Sequence, residues 1–180
     1  MLKAYAQLIG IPTLVAMACI LIGWFFFAAV SVDFLGDEFS ATFYDFMRVL
    51  NNPQNGLATI AGQASSGAGF YGFLCIVALL APLVPHVIKR RETWLAYCAP
   101  AAWMVLAALI GAWKVNAGIS EAQRQFGGFG GGAAREFMGE ALNAVSLGFG
   151  VYLSVVAALY LAYVGVQRYR AQAAATAAAT

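Results

Sequence analysis

One histidine and three cysteines are the side chains of this chain that most often perform chemistry. His86 alone cannot supply the two ligands of a bis-histidine haem or the three that a catalytic zinc usually takes. Cys19, Cys75 and Cys98 form no Cys-x-x-Cys pair, so we expect small buried hydrophobes. For His86 we expect a structural role near the membrane surface, with a ligand or proton-handling role as the open alternative. The sequence therefore predicts no catalytic residue, no metal and no cofactor.

A glycine-rich segment at residues 126–132 reads FGGFGGG. We expect it to be flexible, because glycine lacks the side chain that restricts the backbone. It lacks the Gly-Lys-Ser/Thr ending of a phosphate-binding loop, which disfavours that function. A plain connector, a hinge and an induced-fit contact all remain open. We take Phe126 and Phe129 as candidate contacts to a partner or to lipid.

A second distinctive segment carries apolar residues at helical spacing. These residues, which we also take as candidate partner or lipid contacts, are Phe39, Phe43, Phe46, Met47 and Leu50. The turn-forming stretch NNPQNG follows at residues 51–56. We predict a short amphipathic helix at the membrane surface. It either caps the rest of the protein or docks to a partner or lipid.

Four long apolar runs must position these segments, at about residues 8–31, 69–88, 94–115 and 142–166. A hydrocarbon core of about 30 Å needs about 20 helical residues, and the only charge in the runs is Lys114, at the end of the third. The first run exceeds the apolar part of a signal peptide, so we expect a retained helix. The runs lack the alternation of a membrane barrel strand.

The predicted fold is an all-α membrane protein, an antiparallel bundle of four transmembrane helices with a short external amphipathic helix. Residues 1–170 form one domain, and the Ala/Thr-rich tail at 171–180 either continues the last helix or has no regular structure. Small residues at four-residue spacing allow close helix packing. The ones we select are Gly69, Gly72, Gly148 and Gly150.

The charges predict an orientation. The two termini and the turn between the second and third runs carry six bases and one acid, net +5, whereas the other side is net −3. The bases near helix ends on the positive side include Lys89, Arg90, Arg91, Arg168 and Arg170. Positive loops stay in the cytoplasm, so we expect both termini there, in a plasma membrane that we take to be a bacterial inner membrane. The charge gives no reason to invoke nucleic acid.

The runs hold no acidic or basic residue at mid-membrane, which disfavours a pump or coupled transporter. We expect a non-catalytic accessory or interaction subunit that docks through external loops 32–68 and 116–141. Its expected partners are membrane lipids and a protein partner or a second copy. The alternative is a lipid- or hydrophobe-handling protein, because Pro82, Pro85 and Pro100 should bend helices two and three and could open a groove.

Overall fold

The computed structural model describes residues 10–34, 37–51, 67–88, 90–126 and 145–178, which are mostly helical. The helices are α1 (Ile11–Phe25), α2 (Phe43–Asn51), α3 (Gly69–Leu80), α4 (Val84–Val87), α5 (Ala99–Phe126) and α6 (Phe149–Ala178). Two 3-10 helices, Ala81–Leu83 and Arg91–Cys98, flank α4. The strands are β1 (Ala28–Phe34), β2 (Asp37–Thr42) and β3 (Val145–Leu147).

Three helical segments are long and apolar enough to cross a membrane: Gly69–Val87, Arg91–Lys114 and Phe149–Thr176. The fourth, α1, is apolar but has only 15 described residues, a rise of about 22 Å. Large apolar side chains such as Leu109, Val156 and Phe73 are exposed on these helices, where lipid tails would cover them. The chain is therefore a membrane protein of mostly helical fold.

Prolines interrupt the second and third apolar runs, as the sequence predicted. The second run changes to a 3-10 turn around Pro82 and resumes as α4, which contains Pro85. The third run begins as the 3-10 helix Arg91–Cys98, and regular α-helix starts only at Ala99, just before Pro100. Proline lacks an N–H and its ring clashes with the preceding turn, so both departures from α geometry lie beside prolines. The runs expected at about 69–88 and 94–115 are therefore each divided into a 3-10 part and an α-helical part.

A small three-stranded antiparallel sheet, which was not predicted, lies at one end of the otherwise helical fold. Its strand order is β2-β1-β3. The first helix ends at Phe25 instead of continuing to residue 31, and the last begins at Phe149 instead of 142. Ala28 pairs with Thr42 and Val30 with Leu147. The backbone N–H and C=O groups of residues 28–31 therefore find hydrogen-bond partners in strands that are distant in the chain.

The predicted amphipathic helix is confirmed as α2, but it starts at Phe43, four residues later than expected. Thr42 and Asp45 explain the start. The Asp45 carboxylate accepts from the Thr42 hydroxyl at 2.8 Å and the Thr42 N–H at 3.2 Å, while the Asp45 N–H donates to the Thr42 hydroxyl at 3.1 Å. This reciprocal capping leaves Phe39 on β2, in the extended chain before the cap.

The contact between α1 and α6 brings together two glycines. Cβ atoms added to Gly150 would lie 2.7 Å from the Gly23 carbonyl oxygen and 2.8 Å from that of Phe27. The Ser154 hydroxyl, fully buried beside Gly23, donates to the Gly150 carbonyl at 2.7 Å. The absence of side chains therefore lets the two backbones approach closely. At its other end, α6 continues through Ala178, so the described part of the tail, residues 171–178, extends the last helix.

Candidate functional site

The platform, which we define as the three strands together with α2, contains the candidate contacts predicted from the amphipathic pattern. Phe43, Met47 and Leu50 are buried against the bundle, and Met47 is 0% exposed. Phe46 is half-buried, with its ring over Gly111 of α5. The structure therefore turns the apolar face of α2 inward, so these side chains are not an open surface. Phe39 lies on β2 with its side chain outside the described part.

Aromatic stacking attaches the platform to the end of α1. The Trp24 and Phe43 rings stack with centroids 5.0 Å apart, and those of Phe25 and Tyr44 stack at 4.9 Å. Stacked aromatic pairs contribute beyond the area that they bury. Trp24 is fully buried. The aromatic cluster that the sequence places at the end of the first run thus holds α2 in place.

One edge of the sheet is free within the described chain. β2 pairs with β1 on one side, and no described strand pairs with its other side. Phe34 pairs with Asp37 at the end where β1 and β2 are connected. In a two-residue hairpin, the pair next to the connection forms both backbone hydrogen bonds with each other. Because such pairs alternate, the N–H and C=O of Glu38 and Ser40 point to the free edge. The Ser40 side chain is exposed.

The opposite end of the bundle contains a polar and aromatic cluster that joins all four helical segments. His86 of α4 shares a 2.9 Å hydrogen bond between its Nε2 and the Tyr97 hydroxyl. The His86 ring meets Trp94 edge to face at 5.6 Å. Tyr97 is completely buried, and its hydroxyl also faces Thr13 of α1. His86 is therefore a partner in side-chain packing, as expected of a structural histidine.

Arginine completes this cluster. The Arg168 guanidinium of α6 lies 4.7 Å from the Trp94 ring centroid and 5.9 Å from that of Tyr97. Arg91 lies 4.4 Å above the ring of Tyr169. Both geometries are those of cation–π interactions. We call Thr13, His86, Arg91, Trp94, Tyr97, Arg168 and Tyr169 the basic-end cluster.

The remaining basic residues selected for topology surround this cluster. Arg90 and Arg170 are exposed, and Lys89 lies outside the described residues. The Thr93 hydroxyl donates to the carbonyls of Ile88 at 2.9 Å and Arg90 at 2.6 Å. This side chain thereby fixes the turn that carries the arginines.

The glycines selected for packing lie in different surroundings. Gly150 contacts α1, while Gly148 lies against the Ala28 backbone of β1, so this contact is between helix start and sheet. Gly72 of α3 faces the Tyr44 ring, and Gly69 begins α3 with a φ of 51° beside Asn51. A positive φ of this size is rare for residues that carry a Cβ. These glycines therefore allow close contacts of the long helices with the platform as well as with one another.

The cysteines are all free thiols, with Cys75 buried and the other two half-buried. Within the part of the chain that the structure describes, no three His, Cys, Asp or Glu side chains come together as a metal site would require. The glycine-rich segment gives less information. Phe126 is the last residue of α5, with its side chain outside the described part, and Phe129 lies outside the described residues altogether.

No protein family, curated protein sequence or solved structure matches this chain. The geometry of its own residues is therefore the basis for inferring a function. Sequence reasoning missed both the free edge of β2 and the basic-end cluster. The signal for the cluster was present in the sequence as aromatic residues close to basic ones at the ends of the apolar runs, a pattern that is also typical of simple interfacial anchors.

Proposed function

We propose that this chain is a non-catalytic accessory subunit of a larger membrane assembly, docking to a protein partner at the platform end. The docking segments are those expected from the sequence, 32–68 and 116–141. The observation that carries the proposal is the free edge of β2, where the backbone groups of Glu38 and Ser40 point away from β1. A strand of the partner could extend the sheet there.

Burial of the apolar face of α2 supports a docking element of fixed shape. Met47 and Phe43 hold α2 on the bundle, and α2 in turn follows β2 directly through the Thr42 cap. A strand edge fixed in this way loses little conformational freedom when a partner binds, which favours affinity. The proposal therefore places the contact on the strand edge and not on the apolar face of α2.

The proposed setting is a bacterial inner membrane, with the platform outside and both termini in the cytoplasm. The charge imbalance between the two ends supports this orientation, since positively charged segments near helix ends are retained in the cytoplasm. Arg90, Arg91, Arg168 and Arg170 all belong to the end opposite the platform.

Native mass spectrometry tests the proposal directly. The tagged chain is purified from its native membranes in a mild detergent, and we expect a stoichiometric complex with another protein. Ser40→Pro should abolish that complex, because proline removes the N–H at the free edge and hinders strand pairing. Ser40→Ala is the matched control and should retain the partner. Recovery of the wild-type chain alone or only with itself contradicts the proposal.

The second candidate function is handling of a lipid or another hydrophobe near the bent helices. The 3-10 interruption at Pro82 and the short helix that contains Pro85 favour it, because they lead into the basic-end cluster, where an anionic headgroup could lie. Pro82 and Tyr97 are fully buried, so a lipid tail would have to displace packed side chains to enter the bundle. A lipid that co-purifies in fixed stoichiometry, and whose removal stops a measurable lipid transfer, would favour this function over docking.

A further inference from the structure

We propose that the basic-end cluster binds the phosphate headgroup of an anionic phospholipid. The inference is independent of docking at the platform, since it concerns the opposite end of the bundle. The two groups that would contact the headgroup are the guanidinium groups of Arg91 and Arg168. A guanidinium presents several N–H donors in a planar arrangement that matches phosphate oxygens.

Aromatic rings hold both arginines in place before any ligand binds. Arg168 lies over Trp94 at 4.7 Å and Arg91 over Tyr169 at 4.4 Å. A guanidinium has five N–H donors, so a cation–π contact with one ring still leaves donors for a ligand. Arg168 is half-buried and Arg91 is exposed. The cations are therefore oriented and still accessible.

No carboxylate neutralises these two cations among the described residues. Glu92 is the only acidic residue that the sequence places at this end, and it is exposed and forms no ion pair with a described residue. A structural arginine near protein carboxylates would usually be paired with one. Here the cations keep their charge available, and Arg90 and Arg170 add further positive charge nearby.

The start of α1 strengthens the positive potential at the same place. A Cβ added to Gly10 would lie 3.9 Å from Nη2 of Arg168, so this guanidinium is close to the N-terminal end of α1. No side chain caps that end of α1. The uncapped first turn of a helix carries partial positive charge, which adds to the charge of Arg168. This positive potential would attract a free anion and a lipid headgroup alike.

The position of the cluster decides in favour of a lipid. Arg91 begins one membrane-spanning segment, and Arg168 lies near the end of another. Trp94 and Tyr169 are the aromatic residues typical of the headgroup level. Basic pockets between spanning helices at this depth are suited to anionic headgroups, while the tails of the same lipid lie along exposed apolar residues such as Leu95 and Val87.

Lipid titration of the full chain tests the proposal. The detergent-purified protein is titrated with phosphatidylglycerol or phosphatidylcholine of identical acyl chains, and bound lipid is counted by native mass spectrometry. We expect tighter binding of phosphatidylglycerol. Arg91→Gln and Arg168→Gln should each weaken it about fivefold and the double variant about 25-fold, because each removes a guanidinium that contacts the phosphate directly, beyond the surface charge that all the basic residues share. Phosphatidylcholine binding should not change.

Arg170→Gln is the matched control, because it removes the same charge two residues away from Arg168 on an exposed side chain. It should change the preference for phosphatidylglycerol less than twofold. Arg91→Gln affects an exposed residue, so its result remains interpretable even where Arg168→Gln perturbs folding. Equal binding of both lipids, or an equal loss in Arg170→Gln and in the cluster variants, would overturn the proposal.

Inorganic phosphate separates the two sources of the same chemistry. Phosphate at millimolar concentration should displace little phosphatidylglycerol if lipid tails and headgroup bind together. Complete displacement would show that the cluster takes free phosphate, and would overturn the assignment to lipid. An Arg168→Lys variant adds one further test. It keeps the charge but loses the planar group, so it should recover only part of the preference.

Discussion

Lys114 of α5 donates a hydrogen bond from its Nζ to the backbone carbonyl oxygen of Leu50, 64 residues earlier in the chain. This carbonyl belongs to the last turn of α2, where such groups lack partners within the helix. The ammonium group also lies 5.2 Å from the Tyr71 ring centroid of α3. One side chain thus joins α2 to two spanning helices. It explains why the third apolar run carries a charge at its end.

Lys114→Met should therefore loosen α2 without unfolding the bundle. A hydrogen bond to a charged group contributes about 1.5–3 kcal/mol, and we expect the lower part of that range because Lys114 is only partly buried. Hydrogen exchange of the α2 amides should accelerate about tenfold. Lys114→Arg, which keeps a charged donor, should restore part of the protection. Unchanged exchange in α2 would show that this bond does not hold the platform.

Gly150→Ala should destabilise the protein, although alanine has the higher helix propensity and would by itself favour α6. The added Cβ would lie 2.7 to 2.9 Å from three backbone carbonyl oxygens, those of Gly23, Phe27 and Ala28, which cannot move aside as a side chain can. We expect a loss of about 2–3 kcal/mol, typical of overpacking. Equilibrium unfolding of the detergent-solubilised protein in increasing sodium dodecyl sulfate measures it.

Gly67→Ala is the control for this substitution. A Cβ at Gly67 would meet only the Gly69 backbone nitrogen, at 4.0 Å, so its unfolding free energy should match that of the wild type. Equal stability of Gly150→Ala and Gly67→Ala would mean that α1 and α6 do not approach as closely as described.

The sequence predicted the helical runs and the places where proline interrupts them, because lipid imposes simple rules on composition and length. A run of about 20 apolar residues identifies a span, and proline identifies its interruption. The same rules could not separate Val30 and Ser31 from the first helix, because these residues continue its apolar run. Their strand is specified by pairing with Leu147 and Ser146, a contact between segments more than 100 residues apart.

The sequence predicted that the candidate contact residues share one helical face, but it could not predict whether that face is buried or exposed. Spacing placed Phe43, Met47 and Leu50 on one helical face, and that face exists. Whether such a face covers the bundle or remains open depends on the partner surface in the fold, here Trp24 and Gly111, which periodicity alone does not reveal. The basic-end cluster was missed for the same reason, because it also depends on tertiary packing. Arg168 and Trp94 are 74 positions apart, and only the packing of α6 brings them together.

Tyr97→Phe should destabilise the basic end because it removes the hydroxyl that bonds to Nε2 of His86 at 2.9 Å. Tyr97 is completely buried and His86 is half-buried, so water would replace the lost partner of the His86 nitrogen only in part. We expect a loss of about 1–2 kcal/mol in the free energy of unfolding. Tyr152→Phe is the control, since Tyr152 is 57% exposed, and it should be neutral. A neutral Tyr97→Phe would show that the hydrogen bond contributes nothing to stability.

Cysteine labelling tests the burial of α2 and the proposed orientation in one series. In a background where Cys19, Cys75 and Cys98 are replaced by alanine, a membrane-impermeant maleimide is added to intact cells. Ser40→Cys should react at once even when a partner strand occupies the edge, because strand side chains stand perpendicular to the sheet and that of Ser40 is exposed. Met47→Cys should react at least about tenfold more slowly, because Met47 is 0% exposed and reaction requires α2 to open.

Arg90→Cys completes the series, as an exposed position in the turn at the opposite end of the bundle. It should react only after the cells are permeabilised, because the proposed orientation puts this end, with its excess of basic residues, in the cytoplasm. Labelling of Arg90→Cys in intact cells, with Ser40→Cys protected, would invert the orientation and would move the proposed docking edge to the cytoplasmic side. Equal rates for Met47→Cys and Ser40→Cys would instead mean that the apolar face of α2 is open, and would return it to the candidate docking surfaces.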